Sequence, residues 1–293
     1  MSRAWLLLLC AGCSQQSNLL PVEGGQASAI EVERFARRLY LDLLGSAPNA
    51  SQLDDLKKQL AGAGTAAVRA AAAGELMAQP GFARNYVTEL EGRVLAGEQL
   101  GDRYALICLA FAVYDPACKS LDPTDPMDLC SVDCPSVKAL ADERTLLQKS
   151  PDDLSAGTVT SAVERRYAAS MMFHYSFVDQ KALADGLFDS FLGRRAGADE
   201  QRTASLMAFD IQDQRPKGIL FGRQGANLSD LIDIVFTSEA YREAMVQFAF
   251  GRYLGRPPTP VELAVFADRV DAQQPDLRPL ILAVVSSREY FAQ

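Results

Sequence analysis

The strongest constraint on this chain is a segment that occurs twice, once near each end. The first copy begins FARRLYLDLLGSAPNASQLDDL at Phe35, and the second, which starts near Met245, contains FAFGRYLGRPPTPVELAVF. An offset of 210 positions aligns like residues, and with one residue deleted Phe82 aligns with Phe291. Such recurrence indicates a repeat architecture, in which units bury their apolar faces against one another. The aligned pairs are Gly45 and Gly255, Pro48 and Pro258, Asn49 and Thr259, Leu53 and Leu263, Leu56 and Phe266, and Leu60 and Val270.

Each copy has the pattern of three helices. In the first copy, Phe35, Leu39 and Leu43 recur at helical spacing, and Gly45 follows as a C-cap. The second helix starts at a capping pair, in which a side chain three residues into the helix reaches back to the cap residue. The capping pairs are Asn49 with Gln52 and Thr259 with Glu262, and the third helices are predicted at Ala66–Met77 and Leu277–Ser286.

A weaker third unit is indicated before the last one. The run FLGR, which contains Gly193, matches YLGR at Gly255, and FTSEAY around Tyr241 matches the later SSREYF. Between these phrases the apolar positions of the first copy are not matched, because Gln201 stands where the first copy has Leu53. Two interpretations stay open, a true repeat unit and a chance recurrence of short helical phrases.

These patterns predict an all-α fold with related three-helix modules at the N- and C-terminal ends and a disulfide-containing insertion between them. The predicted divisions are a signal peptide over 1–12, a flexible tether over 13–29, an N-terminal module over 30–96, a cysteine- and aspartate-rich insertion over 97–155, and one or more C-terminal modules over 156–293.

Composition excludes one class of function. Of the 293 residues, 48% are hydrophobic and 23% are charged, which is ordinary for a globular protein. The net charge is −8. Because a nucleic-acid surface needs clustered lysine and arginine to neutralise phosphate, we expect no nucleic-acid partner.

The first residues have the pattern of a bacterial lipoprotein signal. Arg3 supplies the charged start, Trp5–Leu9 the apolar core, and Ala11 and Gly12 the small residues before the cleavage site. Cys13 follows and is predicted to carry the lipid, although Cys10 stands where such signals usually have leucine. The alternative is an ordinary secretory peptide cleaved nearby. The apolar run is too short to span a bilayer. In the lipoproteins that this signal resembles, Ser14 rather than aspartate after the cysteine implies the outer membrane, and we expect the polar residues that follow to form a flexible tether.

Both copies resemble known modules. The phrases RRLYLDLLGSAPNASQLDDL and LMAQPGFARNYV resemble the opening of exported domains associated with cytochromes in planctomycete-type proteins. The phrases FGRYLGRPPTPVELAVF and VVSSREYF are similar to a small helical repeat distantly related to phycobilisome linker domains. These resemblances cover about 50 residues at each end and imply an all-helical exported scaffold, with no catalytic residues to carry over.

The insertion contains the cysteines that remain after the signal is processed. An even number in an exported chain indicates two disulfides, with three possible pairings. The local pairing joins Cys108 to Cys118 and Cys130 to Cys134, and a crossed pairing would clamp the aspartate-rich loop to a helix over Tyr104–Tyr114. A zinc site is the alternative to disulfides, although these cysteines lack the C-x-x-C spacing that zinc sites usually have. Haem attachment is excluded, because C-x-x-C-H is absent.

Carboxylates in the insertion offer a calcium alternative. Asp122, Asp125 and Asp128, with Asp133 beyond them, could surround an ion. The loop lacks the glycine and terminal glutamate of an EF-hand, and Asp125 followed by proline is also typical of a helix start. We therefore predict no metal site.

No residue set in the sequence indicates catalysis. His174 is the single histidine and lies among bulky apolar residues, which favours a buried or half-buried structural role in a helix. The glycines of 218–225 lack the Lys-Ser/Thr ending of a phosphate loop and indicate a bend before a helix capped by Asn227 or Ser229. Two carboxylate pairs could be proposed for glycoside hydrolysis, Asp210 with Asp213 and Asp152 with Asp153. Such pairs are too common on solvated faces to be assigned a catalytic role. No catalytic or cofactor-binding residue is predicted.

The sequence thus favours a non-catalytic cell-envelope lipoprotein that binds an envelope protein or polysaccharide through a groove between modules. One alternative is a cell-surface hydrolase using carboxylates of the insertion. Another is an accessory subunit of a secretion or motility machine, which a large exposed apolar patch would favour.

Overall fold

The computed structural model describes residues 28–60, 65–95, 97–116, 118, 130, 134–209, 215 and 217–293, and these form a mainly helical protein. The predicted all-α class is confirmed. The signal segment, Cys13, most of the tether and the aspartates at 122, 125, 128, 133, 210 and 213 lie outside the described residues.

The elements follow one another in chain order with short connections. The first helices are α1 (Ala29–Leu44), α2 (Ala50–Leu60), α3 (Ala66–Met77), α4 (Pro80–Val94), α5 (Leu100–Tyr114), α6 (Pro135–Gln148), α7 (Ser150–Ser155), α8 (Thr160–Ala168) and α9 (Met171–His174). Then come α10 (Gln180–Leu192), α11 (Ala198–Ala208), β1 (Gly218–Leu220), β2 (Arg223–Gly225), α12 (Leu228–Phe236), α13 (Glu239–Ala249), a π-helical turn (Phe250–Leu254), α14 (Pro260–Arg269), α15 (Arg278–Val285) and α16 (Arg288–Ala292).

The same glycine turn occurs at three places in the fold. Gly45, Gly193 and Gly255 have φ of 69°, 62° and 67° and follow the helices that end at Leu44, Leu192 and Leu254. A side chain is costly in this left-handed conformation, which glycine adopts freely. The third unit, indicated weakly by sequence, therefore has the same local geometry as the other two.

A capping interaction follows each of these turns after four residues. Asn49 and Gln52 exchange hydrogen bonds of 2.9 Å, as predicted, and Thr259 with Glu262 forms the predicted capping box. In the middle unit, the Glu200 carboxylate accepts from the backbone N–H of Gly197. These contacts satisfy N–H groups that the first helical turn leaves without partners.

The helix caps at the end of each unit change one pair in the repeat alignment, the residue that corresponds to Phe82. Ser238 and Ser287 cap α13 and α16, and Gln79 precedes α4 in the same position. The residue three positions after each cap is aromatic and buried, namely Phe82, Tyr241 and Tyr290. Phe82 therefore corresponds to Tyr290 rather than to Phe291, because the cap fixes the helix register.

The first and last units pack directly on each other. Helix α3 contacts α15, its counterpart in the last unit, and α16 contacts α1. Arg69 is 2% exposed, and its Nε donates to the carbonyl oxygen of Ser286 at 2.8 Å. Because Ser286 follows the end of α15, Arg69 satisfies a helix C-terminal carbonyl that would otherwise lack a partner.

One segment differs from the sequence prediction, and the structure adds detail to a second. The glycine-rich segment predicted as a loop bend is a β-hairpin, in which Phe221 and Gly222 both have positive φ, as a tight two-residue turn requires. Helix α8 ends before His174 is reached, because Ser170 accepts from the N–H of Phe173 and starts the separate one-turn helix α9.

The disulfides follow the crossed pattern, so the local pairing is wrong. Cys108 pairs with Cys130 and Cys118 with Cys134. Cys108 lies on α5 and Cys134 caps α6, two helices that pack together. That packing brings residues distant in sequence to bonding distance, which spacing alone does not reveal. Within the described part of the chain, no helix is both long enough and apolar enough to cross a bilayer.

Candidate functional site

Helix α5 carries the most unusual surface of the described structure. Leu106, Leu109 and Val113 are 53%, 46% and 48% exposed. Their spacing of three and four residues places them on one side of the helix. We call these three residues the α5 outer face.

The opposite side of α5 is also apolar. Tyr104, Ile107 and Cys108 are buried there, and α5 packs against α6 and α9. A helix that is apolar all round is normally buried on every side. Among the residues that the structure describes, helix α5 is covered on one side only.

Aromatic residues extend this surface at the end of α5. Tyr114 is exposed, and Phe111 packs edge-on against the half-exposed ring of Tyr175, with centroids 5.5 Å apart. Val178, also exposed, follows Tyr175 closely in sequence. By contrast, Ile219 in the hairpin and Val261 in α14 are single exposed residues, which are common on protein surfaces.

Disulfides hold α5 in place. The Cys108–Cys130 bridge starts on its buried side, and the Cys118–Cys134 bridge joins the chain just after α5 to the start of α6. Such cross-links restrict the unfolded chain and fix the position of the helix. The outer face is therefore presented on a constrained element.

Among the described residues, the most deeply buried carboxylate belongs to a network of buried side chains. Glu164 on α8 is 5% exposed and accepts hydrogen bonds from the hydroxyls of Tyr86 and Tyr241 at 2.7 Å and from Arg93 at 2.9 Å. Burial, together with the Glu164 charge, raises the pKa of both tyrosines well above their usual value. Burial lowers the pKa of Arg93, but Glu164 and the two tyrosines together outweigh it and the net shift is upward. The network joins α4, α8 and α13, and the hydrogen bonds to Glu164 come from side chains of the protein itself.

His174 has a structural environment, in agreement with the sequence prediction. It is half-buried, and its Nε2–H donates to the carbonyl oxygen of Ala168 at 2.9 Å. Burial lowers the pKa of the imidazole. A neutral ring with one nitrogen committed to a backbone carbonyl helps to hold α9 against the end of α8.

The carboxylate pairs that the sequence left unassigned form no assembled site among the described residues. Asp152 and Asp153 lie in the first turn of α7, the helix start that the sequence predicts, and Asp153 pairs with Arg166 at 2.7 Å. Asp210 and Asp213 lie outside the described residues.

Two open recesses lie on the described part of the surface. One lies between α8 and α12 and includes Arg165 and Asp233, which form an ion pair of 2.7 Å. The other lies between the start of α10 and α11 and includes Leu206 and Phe209. The first and last units contact each other through Arg69, which bonds to Ser286, and through Asp42, which bonds to Arg252.

A small cluster of potential metal ligands lies at the second disulfide. One carboxylate oxygen of Asp115 and the Sγ atoms of Cys118 and Cys134 all lie within 4.8 Å of one another. Both cysteines are buried, and Ser136 donates a hydrogen bond to Asp115.

Comparisons of this chain with protein-family models, curated proteins and solved structures find no match.

The sequence analysis did not predict the α5 outer face. The signal was present in the run ALICLAFAVY, which is apolar at every helical position and so cannot form a helix with a polar side.

Proposed function

We propose that this protein is a non-catalytic lipoprotein of the bacterial cell envelope that binds another envelope protein through the α5 outer face. The exposed row of Leu106, Leu109 and Val113 on a helix constrained by disulfides carries this proposal. Contiguous exposed apolar surface marks sites of interaction in soluble proteins.

The energetics favour a protein partner. Covering a half-exposed leucine removes apolar surface from water and stabilises a complex by roughly 1 kcal/mol. Aliphatic side chains offer no hydrogen bonds to sugar hydroxyls, whereas an apolar strip on another helix or sheet would pack against them. This chemistry supports a protein over a polysaccharide.

The lipid anchor limits where that partner is found. A lipid on Cys13 would tether the first helix, which starts at Ala29, to the membrane. An extended chain spans at most about 3.5 Å per residue, so the α1 start would stay within roughly 55 Å of the bilayer surface. Confinement to this layer raises the effective concentration toward any envelope partner.

The test is affinity capture of the full-length protein from its own membranes, followed by quantitative mass spectrometry. The test variant carries Leu109→Ser and Val113→Ser, and the matched control carries Ile219→Ser and Val261→Ser, which also remove exposed aliphatic side chains. We expect one stoichiometric envelope partner with the wild type and the control, reduced at least about tenfold with the test variant.

Equal recovery of the partner with both variants would overturn the role of the outer face. The mass of the N-terminal peptide tests the anchor separately. A diacylglycerol on Cys13 is expected, and an unmodified cysteine would overturn the lipoprotein assignment while leaving the binding result intact.

A further inference from the structure

We propose that Asp115, Cys118 and Cys134 form a zinc site in the dithiol form of this protein, so that disulfide and metal are alternative occupants of one position. The observation is the convergence of one carboxylate oxygen and two sulfur atoms within 4.8 Å of one another. This proposal is independent of the binding role of the α5 outer face.

Once the disulfide is opened, the positions of these three residues fit a tetrahedral zinc ion. With Zn–S near 2.3 Å and Zn–O near 2.1 Å, ligand atoms around the metal lie roughly 3.5–3.8 Å apart. The Asp115 oxygen lies within 4.8 Å of both sulfurs. The Cα atoms of Cys118 and Cys134 are 5.4 Å apart, so side-chain rotation is enough to separate the two sulfurs around an ion.

Charge favours an ion once the disulfide is opened. Two thiolates and a carboxylate would place three negative charges together, beside cysteines that are buried. Such a group must hold protons or a cation. Cys134 is the N-cap residue of α6, and the positive end of that helix favours its thiolate.

The donor set selects the metal. Two sulfurs and one carboxylate suit zinc, whereas calcium and magnesium prefer oxygen ligands alone. The hydrogen bond from Ser136 would orient the Asp115 carboxylate, as outer hydrogen bonds do in metal sites. Three protein ligands leave one position of a tetrahedral ion for water.

The chemistry balances with a dithiol as reductant. The dithiol gives two electrons and two protons to the Cys118–Cys134 bond and becomes a cyclic disulfide, leaving two protein thiols. Zinc then forms two Zn–S bonds and one Zn–O bond, and the two thiol protons are released to solvent.

The experiment measures zinc binding by the full-length chain after reduction and anaerobic removal of the dithiol. Because Cys108 and Cys130 are also reduced, the main variant carries Cys108→Ser and Cys130→Ser. We expect this variant to bind one zinc ion when reduced and none when oxidised. Added Cys118→Ser and Cys134→Ser substitutions should abolish binding, and Asp115→Asn should weaken it at least about tenfold.

A measurement on the wild type covers the case in which a variant fails to fold. Zinc added to the reduced protein should slow alkylation of Cys118 and Cys134, but not of Cys108 and Cys130, by iodoacetamide. The proposal is overturned if the reduced main variant binds no zinc, if Asp115→Asn has no effect, or if zinc protects all four cysteines equally.

Discussion

Arg252 donates to Asp42 across 3.3 Å, and these two residues occupy the same position in the last and first repeat units, 210 residues apart. Each lies three residues before the glycine that ends its helix, Gly45 or Gly255. Contact between counterpart residues is expected near an axis that relates two units by a half-turn, as in two-fold dimers. The direct packing of α3 on its counterpart α15 agrees with that arrangement.

The unit interface should depend strongly on Asp42. Its carboxylate also accepts from the Tyr290 hydroxyl at 2.8 Å and from Arg38 at 3.3 Å, and it is mostly buried. We expect Asp42→Ala to lower the free energy of unfolding by about 2–3 kcal/mol, because these donors lose their acceptor. Urea unfolding measures this. Asp55→Ala, at an exposed pair with Lys58, is the control and should change stability by less than about 0.5 kcal/mol.

Substitutions of different residues in the Glu164 network should lower the stability of the protein by different amounts. Glu164→Ala leaves Arg93 and two tyrosine hydroxyls without their acceptor and is expected to cost about 3–5 kcal/mol. Tyr241→Phe removes one donor and should cost about 1–2 kcal/mol. Tyr114→Phe, at an exposed ring, is the matched control. Similar stability of the Glu164→Ala variant and the wild type in urea would refute a structural role.

Acid stability should depend on Glu262. Hydrogen bonds from Arg256 lower the pKa of Glu262 from 4.5 to about 2. Because the folded pKa is depressed, this stabilisation is present above about pH 4.5 and is lost as the pH falls toward 2. We expect Arg256→Gln to cost about 1 kcal/mol at neutral pH and to flatten this acid dependence, with Arg202→Gln, at an exposed pair, as the control. An unchanged slope between pH 4.5 and 2 in Arg256→Gln would contradict the assignment.

His174 gives a direct test of the fold around α9. As the single histidine, it yields one imidazole titration in an NMR spectrum. Burial lowers its pKa below 6.5, so the neutral ring stabilises the folded state and that contribution diminishes as the pH falls below about 6.5. A titration midpoint above 6.5 would mean that the ring is solvated or paired with a carboxylate.

The sequence predicted the features that short-range chemistry determines. The glycine C-cap at Gly45, the capping pair of Asn49 and Gln52 and the helix over Ala66–Met77 depend on residues within one or two turns. The crossed disulfides, the Asp42–Arg252 contact and the Phe82–Tyr290 correspondence depend on how helices distant in sequence pack, which a local pattern does not encode.

The candidate surface was partly visible in the sequence. The run ALICLAFAVY within α5 is apolar throughout, and this pattern alone predicts a helix buried on all sides. Only the packing shows that Ile107 faces the protein interior while Leu106 and Leu109 face outward. That distinction turns a core helix into a candidate binding surface.

The most direct test of the binding role is photo-crosslinking from position 109 in intact cells. A photoreactive amino acid replaces Leu109 in the full-length protein, and the same substitution at the exposed Val261 is the control. The account expects one discrete adduct with an envelope protein from position 109, lost when Leu106→Ser and Val113→Ser are added, and none from position 261. Equal adducts from both positions, or none from position 109, would contradict it.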